Sequence, residues 1–267
     1  REEGLQNNNP NSITFNNDGT RMYIVSRFDV DTYELTTAYD ITTKAYNAGL
    51  SVTLPPNPAP RGVDFNSDGS KMFVSNAFDD RIEEYNLAIN FNPSSAGPLI
   101  TTLVTLGDIG GERNVFFNND GSKVYINDAT KVNEYNLLVN FNLATWDGNP
   151  PKTFSFAGET GLAIGLVFND DGTKMFMTGE TGGEGFVYEY ALGTAYDVTS
   201  ATYTDSFSVN AQDSTPMGIN FNNDGTKMFV VGVQNHKLYE YSLSTGFDLN
   251  VAAGGGDGGG DGGADSG

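Results

Sequence analysis

The chain has 267 residues with 34 acidic and 14 basic side chains, a formal net charge of −20, and no cysteine. A field of that sign repels phosphate backbones and anionic bilayers, which argues against nucleic acid and membrane surfaces as partners. The lack of cysteine excludes a disulfide framework and thiolate metal sites, and no run of about 18 apolar residues is present to form a spanning helix. Hydrophobic residues make up 38% of the chain and aromatics 12%, enough to build a core for one large domain. The first residues, Arg1-Glu2-Glu3-Gly4, include neither Met nor a signal-peptide pattern, so a processed or trimmed chain is expected.

Residues 1–11 are polar and Asn-rich and are expected to form the end of an outer strand followed by a loop. One phrase then recurs five times, beginning at Phe15, Phe65, Phe117, Phe168 and Phe221, with a period of about 50 residues, in the range of propeller blades. In each copy a short apolar strand (Ser12–Phe15, Gly62–Phe65, Asn114–Phe117, Gly165–Phe168, Gly218–Phe221) runs into an Asn-x-Asp-Gly turn and a second strand. Asp-Gly between apolar runs signals a hairpin, because Gly reaches positive φ at little cost and Asp bonds the turn backbone. A third segment alternates with period two: Val30–Leu35, Ile82–Leu87, Val132–Leu137, Val187–Leu192 and Leu238–Leu243. Beyond it come Tyr39-Asp40, Phe91-Asn92, Phe141-Asn142, Tyr196-Asp197 and Phe247-Asp248, a repeat-wide pair expected to pin the loop into the fourth strand. The fourth strands are expected near Leu50–Leu54, Leu99–Leu106, Lys152–Phe156 and Thr202–Val209.

The fifth repeat lacks a fourth strand of its own and runs into a Gly/Asp-rich tail. A ring of blades has to close, because open sheet edges invite aggregation. The segment around Glu2–Gln6 is the natural supplier of the missing strand; a partner chain or a longer N-terminal extension is the alternative. The expected fold is therefore all-β: a β-propeller of five blades of four antiparallel strands, closed by the N-terminal segment. The propeller would cover residues 1–252, with repeats starting near 12, 62, 114, 165 and 218, and a flexible tail would cover 253–267.

The pattern apolar-apolar-x-Phe-Asn-x-Asp-Gly-[Thr/Ser]-Lys-Met-[Phe/Tyr]-Val, over about residues 10–250, resembles the repeats of YVTN-type, lactonase-like β-propellers. The fuller phrase, as in Glu189–Val198, is similar to repeats of marine phage structural proteins and bacterial surface proteins. The resemblance implies the architecture; it carries no catalytic residue over, since propellers host many unrelated functions.

In such a ring the first strands line the central channel, and the loops between second and third strands and between blades gather on the face that usually carries ligands. The Asn-x-Asp-Gly turns fall on the opposite face. Their Asn and Asp are reminiscent of calcium loops, but no carboxylate follows at the far end, and hairpin chemistry accounts for them. Arg27, Arg61, Arg81 and Arg113 fall in the expected ligand-face loops of the first three blades, beside Phe28, Phe78 and Asp79. Arginine forks suit carboxylates, sulfates or phosphates, and the aromatics suit sugar stacking; the alternative is that the arginines pair with local carboxylates and hold the loops. Trp146, the only Trp, falls in an extra loop spanning Leu143–Pro151, either as a packed anchor or as an exposed contact. With His236 as the only histidine, a His-based metal site or a Ser–His–Asp system is not expected, and Asp64 is the only acid on an innermost strand.

The sequence therefore predicts a non-enzymatic binding module, structural or adhesive, outside the cell, on the cell surface or on a virion. The expected partners are assembly proteins or surface glycans, with no cofactor and no metal, and oligomerisation is left open. A lectin using the Arg-containing face is the second class, and a hydrolase or lactonase the third.

Overall fold

The computed structural model describes residues 1–54, 59–104, 114–156, 162–249 and the backbone of 252–253. Five antiparallel sheets follow one another around a ring. Blade 1 is Ser12–Phe15, Arg21–Val25, Asp29–Leu35 and Lys44–Tyr46, with Val52–Thr53. Blade 2 is Pro60–Phe65, Lys71–Asn76, Arg81–Leu87 and Ala96–Val104. Blade 3 is Val115–Phe117, Lys123–Asn127, Lys131–Asn136 and Lys152–Ser155; blade 4 is Leu162–Phe168, Lys174–Thr181, Glu184–Leu192 and Ala201–Ser208. Blade 5 is Pro216–Phe221, Lys227–Gly232, Lys237–Leu243 and Glu2–Gly4.

The ring is closed from within the chain. Glu2 lies opposite Tyr239 and Gly4 opposite Lys237, while Ala252–Ala253 continues the same outer edge opposite Ser242 and Leu243. The alternation of the third strands is real, yet both of its faces are buried: Leu238, Tyr239, Glu240 and Tyr241 are all inaccessible. Each sheet is sandwiched between two others, so five apolar clusters form, one at each blade–blade interface.

The turn chemistry is uniform. Gly19, Gly69, Gly121, Gly172 and Gly225 sit at φ 69–71°, and the aromatic of each later pair takes φ 53–57°. That left-handed aromatic lays its ring on the turn glycine: a Cβ on Gly121 would come within 2.2 Å of the Phe141 ring. In blades 1 to 4 the Asp or Asn that follows caps a short 3-10 helix, as Asp197 does by accepting from Thr199 N–H at 3.0 Å. The expected pin is thus a ring-on-glycine contact plus a helix cap.

Two local expectations are corrected. The outer edge of blade 1 begins at Lys44, not Leu50, and is interrupted by a turn at 47–51 that bonds back through Asn47. Leu143–Thr145 is the repeat's own 3-10 helix, so only the stretch after Trp146 is extra.

A charged clasp joins consecutive blades. Lys71, Lys123, Lys174 and Lys227 donate to the carbonyls of Phe141, Tyr196, Phe247 and Tyr39, each in the next blade round the ring. The same lysines pair with the third-strand acids Glu84, Glu134, Glu189 and Glu240. Glu84, Glu134 and Glu189 in turn accept the next blade's Leu143, Val198 and Leu249 N–H. Blade 1 has Thr32 at the glutamate position, and blade 2 has Pro93 where the donor N–H would be. Acceptor and donor are missing together, and the Phe91 carbonyl is held instead by Arg21 and by Tyr23 OH.

Candidate functional site

The inner strands enclose a cavity of about 390 Å³ on the ring axis. Its mouth is formed by the exposed turn residues Asn17, Ser67, Asn119, Asp170 and Asn223. Its base is sealed by side chains. Ser12 Oγ of blade 1 donates to Asn114 Oδ1 of blade 3 at 3.1 Å, and Asn114 Nδ2 donates to the Leu166 carbonyl of blade 4 at 2.7 Å. Blades 1 and 3 are not neighbours in the ring, so this contact crosses the axis and turns the channel into a cup. Gly62, between them, has to be a glycine: a Cβ there would lie 2.3 Å from Asn114 Oδ1 and 2.8 Å from its Cα.

Between base and mouth each blade contributes the residue just before its recurring Phe: Thr14, Asp64, Phe116, Val167 and Asn220. Eight asparagines line the cup, with two acids, Asp64 and Asp170, and no Lys, Arg or His among the described residues. Several amides are committed. Asn16, Asn118 and Asn222 spend their Oδ1 on the backbone N–H of Arg21, Lys123 and Lys227. Asn220 Oδ1 accepts from Phe221 N–H at 2.7 Å. At the mouth, Asn223 donates to the Asn17 carbonyl, Asn17 to that of Ser67, and Asn119 to that of Asp170. Each link joins neighbouring blades, and the two steps that would start at Ser67 and Asp170 lack the amide needed to make one.

Among the described residues, Asp64 is the only carboxylate between base and mouth. Burial pushes its pKa up to about 7, against the pull of Phe117 and Phe65 N–H, each of which donates to one of its oxygens at 2.8 Å. At the mouth, burial and neighbouring Asp171 raise Asp170.

The arginine-bearing loops lie at the other end of the ring. Arg81 is bound by Glu83 at 2.7 Å and Asp79 at 3.0 Å, and Glu83 also accepts from Asn76 and Tyr85. Arg61 donates to Asn11 Oδ1 at 3.1 Å, joining the same repeat position of two blades. Arg27 stacks over Phe28 at 5.0 Å; Phe28 and Phe78 are 43% and 63% exposed. Arg113 lies outside the described residues, as does the Gly/Asp tail from Gly254. Trp146 is half-buried against Tyr135, with ring centroids 6.1 Å apart. The described residues among those predicted are spread over loops and strand ends of blades 1, 2 and 3, whereas the cup lies at the turn end, opposite the face expected to carry the ligand. One signal pointed to it: the position before Phe is the variable letter of an otherwise uniform phrase.

No sequence family and no curated protein matches the chain. Solved structures do. The periplasmic gluconolactonase PpgL of Pseudomonas aeruginosa is similar over 88% of this chain, with a TM-score of 0.51 and 16% identity. A chain of a nidogen/laminin complex is similar over 80% of this chain and 70% of its own length, with a TM-score of 0.53 and 12% identity. The β-propeller domain of Cps50 (Swd1) from Myceliophteria thermophila is similar over 91% of this chain and 98% of its own, with a TM-score of 0.50 and 7% identity. The chain spans 66% of the length of the Pseudomonas protein. At these identities the likeness shows the fold: a β-propeller, of five blades here, among lactonase-like and binding propellers alike.

Proposed function

We propose that the protein is a non-enzymatic binding module, an adhesive or structural propeller of a cell surface or virion, that holds its ligand in the axial cup. The observation that carries this reading is the lining: asparagines and aromatics, no basic side chain among the described residues, and one inner carboxylate whose two oxygens each hold a backbone amide. Amide and aromatic groups grip polar ligands such as sugars or side chains. A cup without a cation is poorly suited to phosphorylated substrates, which weighs against a phosphosugar hydrolase. The solvent-facing acidity of the chain suits an extracellular setting, and the resemblance to phage and bacterial surface repeats points the same way.

The test uses an exposed mouth position that the fold does not need. A glycan and peptide array is probed with the wild type, Ser67→Trp, which obstructs the mouth, and Arg27→Ala. Selective hits that disappear with Ser67→Trp and persist with Arg27→Ala support the cup. Hits lost only with Arg27→Ala move the site to the arginine face, and turnover of a sugar lactone that Ser67→Trp abolishes would replace binding with catalysis.

A further inference from the structure

The cup's donors and acceptors are unequally available. Asn17 and Asn119 spend amide N–H on the next blade's carbonyl, which leaves their Oδ1 atoms as the groups free to meet a ligand. Asn223 differs, because its Oδ1 already accepts from Tyr39 OH at 2.7 Å. Asp170 adds a carboxylate at the mouth, and Asp64 adds another below it. Each Asp64 oxygen accepts one backbone N–H and retains a second lone pair. Phe116, in the next blade, occupies the position equivalent to Asp64 and is half-buried in the wall. Acceptors, two acids and an aromatic wall with no opposing base form an environment for a donor that carries positive charge.

We infer that the cup takes the positively charged end of its ligand, a primary ammonium group, with Asp64 as counter-charge and Phe116 and the mouth amide carbonyls as its walls. This deepens the binding reading above and rests on it. A divalent ion fits less well. It requires about six oxygen ligands, whereas Asn16, Asn118 and Asn222 have committed their carbonyls. No cluster of three metal-ligating side chains is present among the described residues. An ammonium needs only three acceptors, and the whole chain's charge of −20 draws it in.

Charge on Asp64 links binding to pH. The other titratable groups lining the cup, Asp170 and Tyr39, stand at the mouth. With the Asp64 carboxyl raised to about 7, the free cup is largely neutral there at pH 6 and charged at pH 8, so ammonium affinity rises across that interval.

The experiment is calorimetric titration of the full chain with three amines, glucosamine, 1,6-diaminohexane and Nα-acetyl-lysine methylamide, each beside a neutral counterpart: glucose, 1,6-hexanediol and Nα-acetyl-norleucine methylamide. At least one amine is expected to bind about tenfold or more tightly than its counterpart, the scale of one close ion pair in a partly shielded site. In the diamine and lysine arms, whose amines stay protonated throughout, that preference should grow from pH 6 to pH 8; in every arm it should disappear in Asp64→Asn and be lost with Ser67→Trp. The sugar, diamine and lysine arms separate an amino sugar from a polyamine or a protein side chain as the source of the charge. The wild-type comparison needs no variant to fold. If neutral counterparts bind as well as amines and Ser67→Trp removes both, the inference fails while the cup remains the site. If no amine is preferred, or the preference survives Ser67→Trp, the inference is overturned, and in the latter case the cup reading falls with it.

Discussion

Ser12 Oγ donates to Asn114 Oδ1 at 3.1 Å although the two residues stand 102 positions apart and in blades that do not adjoin. The contact closes the axis, and Asn114 is held further by its bond to the Leu166 carbonyl. Asn114→Ala leaves that buried carbonyl and the Ser12 hydroxyl unpaired and is expected to cost about 1–3 kcal/mol. For a domain of this size, each kcal/mol lowers the melting temperature by about 2–4 °C, readable by calorimetry. Gly62→Ala pushes a methyl into the same residue and should cost a similar about 1–3 kcal/mol by overpacking; an unchanged melting temperature in both would show that the base is not closed this way.

The chain of turn-to-turn bonds around the mouth is complete where the second turn residue is Asn and broken where it is Ser67 or Asp170. Ser67→Asn and Asp170→Asn each supply the missing amide. Each is expected to raise stability by about 0.5–1 kcal/mol in denaturant titration, with Asn119→Ser falling by a like amount. No gain from either replacement would mean that the asparagines contribute nothing beyond their own turns.

Two third-strand glutamates, one in blade 3 and one in blade 1, test the clasp. Glu134 is wholly buried, 2.7 Å from Lys123, and accepts from Val198 N–H, whereas Glu34 is half exposed and 4.0 Å from Arg21. Removing one partner of a buried pair strands the other, so Glu134→Ala is expected to cost about 3–5 kcal/mol. The exposed pair is worth about 0–1 kcal/mol, and Glu34→Ala should reflect that. Urea unfolding of the two variants side by side measures the difference.

Stability should fall as pH rises through the neutral range. Burial raises Asp64 to about 7, and burial raises Asp31 to about 6 despite the bond from Asn7. A carboxyl whose folded pKa lies above its unfolded value favours the folded state fully below the unfolded pKa and loses that contribution as pH climbs through the folded one. The expected window runs from just under 4, the usual carboxyl value, to about 7. Asp197, held down to about 2 chiefly by Lys152, acts in the opposite sense and only in stronger acid. Melting curves from pH 5 to pH 8 should show a declining midpoint, with a shallower decline in Asp64→Asn; a rising midpoint would contradict the assignment.

Much of this architecture is written in single residues. Asp18-Gly19 and its four counterparts specify the hairpins, because Gly accepts the left-handed turn and the side chain bonds the backbone two residues on. Tyr39-Asp40 and its counterparts specify the pin, and the Gly/Asp-rich run that follows the fifth repeat pointed to Glu2–Gly4 as the closing strand, which shares its edge with Ala252–Ala253. The cup was less legible. Thr14, Asp64, Phe116, Val167 and Asn220 are each unremarkable in their own blade, and only the ring brings them together. The fate of the arginines stood as an alternative in the sequence, pairing with local carboxylates, and Arg81 takes it with Asp79 and Glu83.

The sequence by itself determined what repeats: the number of blades, the turn at the head of each, the ring-on-glycine pin and the source of the last strand. All but the last, which pairs the two ends of the chain, depend on backbone preferences and contacts within about 50 residues, and five copies of one phrase report them five times. Only the tertiary structure decided what happens on the axis. Whether the channel stays open depends on how closely five inner strands approach, which is set by glycines such as Gly62 and by a bond between Ser12 and Asn114 that no local pattern encodes. The same approach sets the charge of the cup, because it places one carboxylate, Asp64, half-buried in the inner wall with no cation beside it among the described residues.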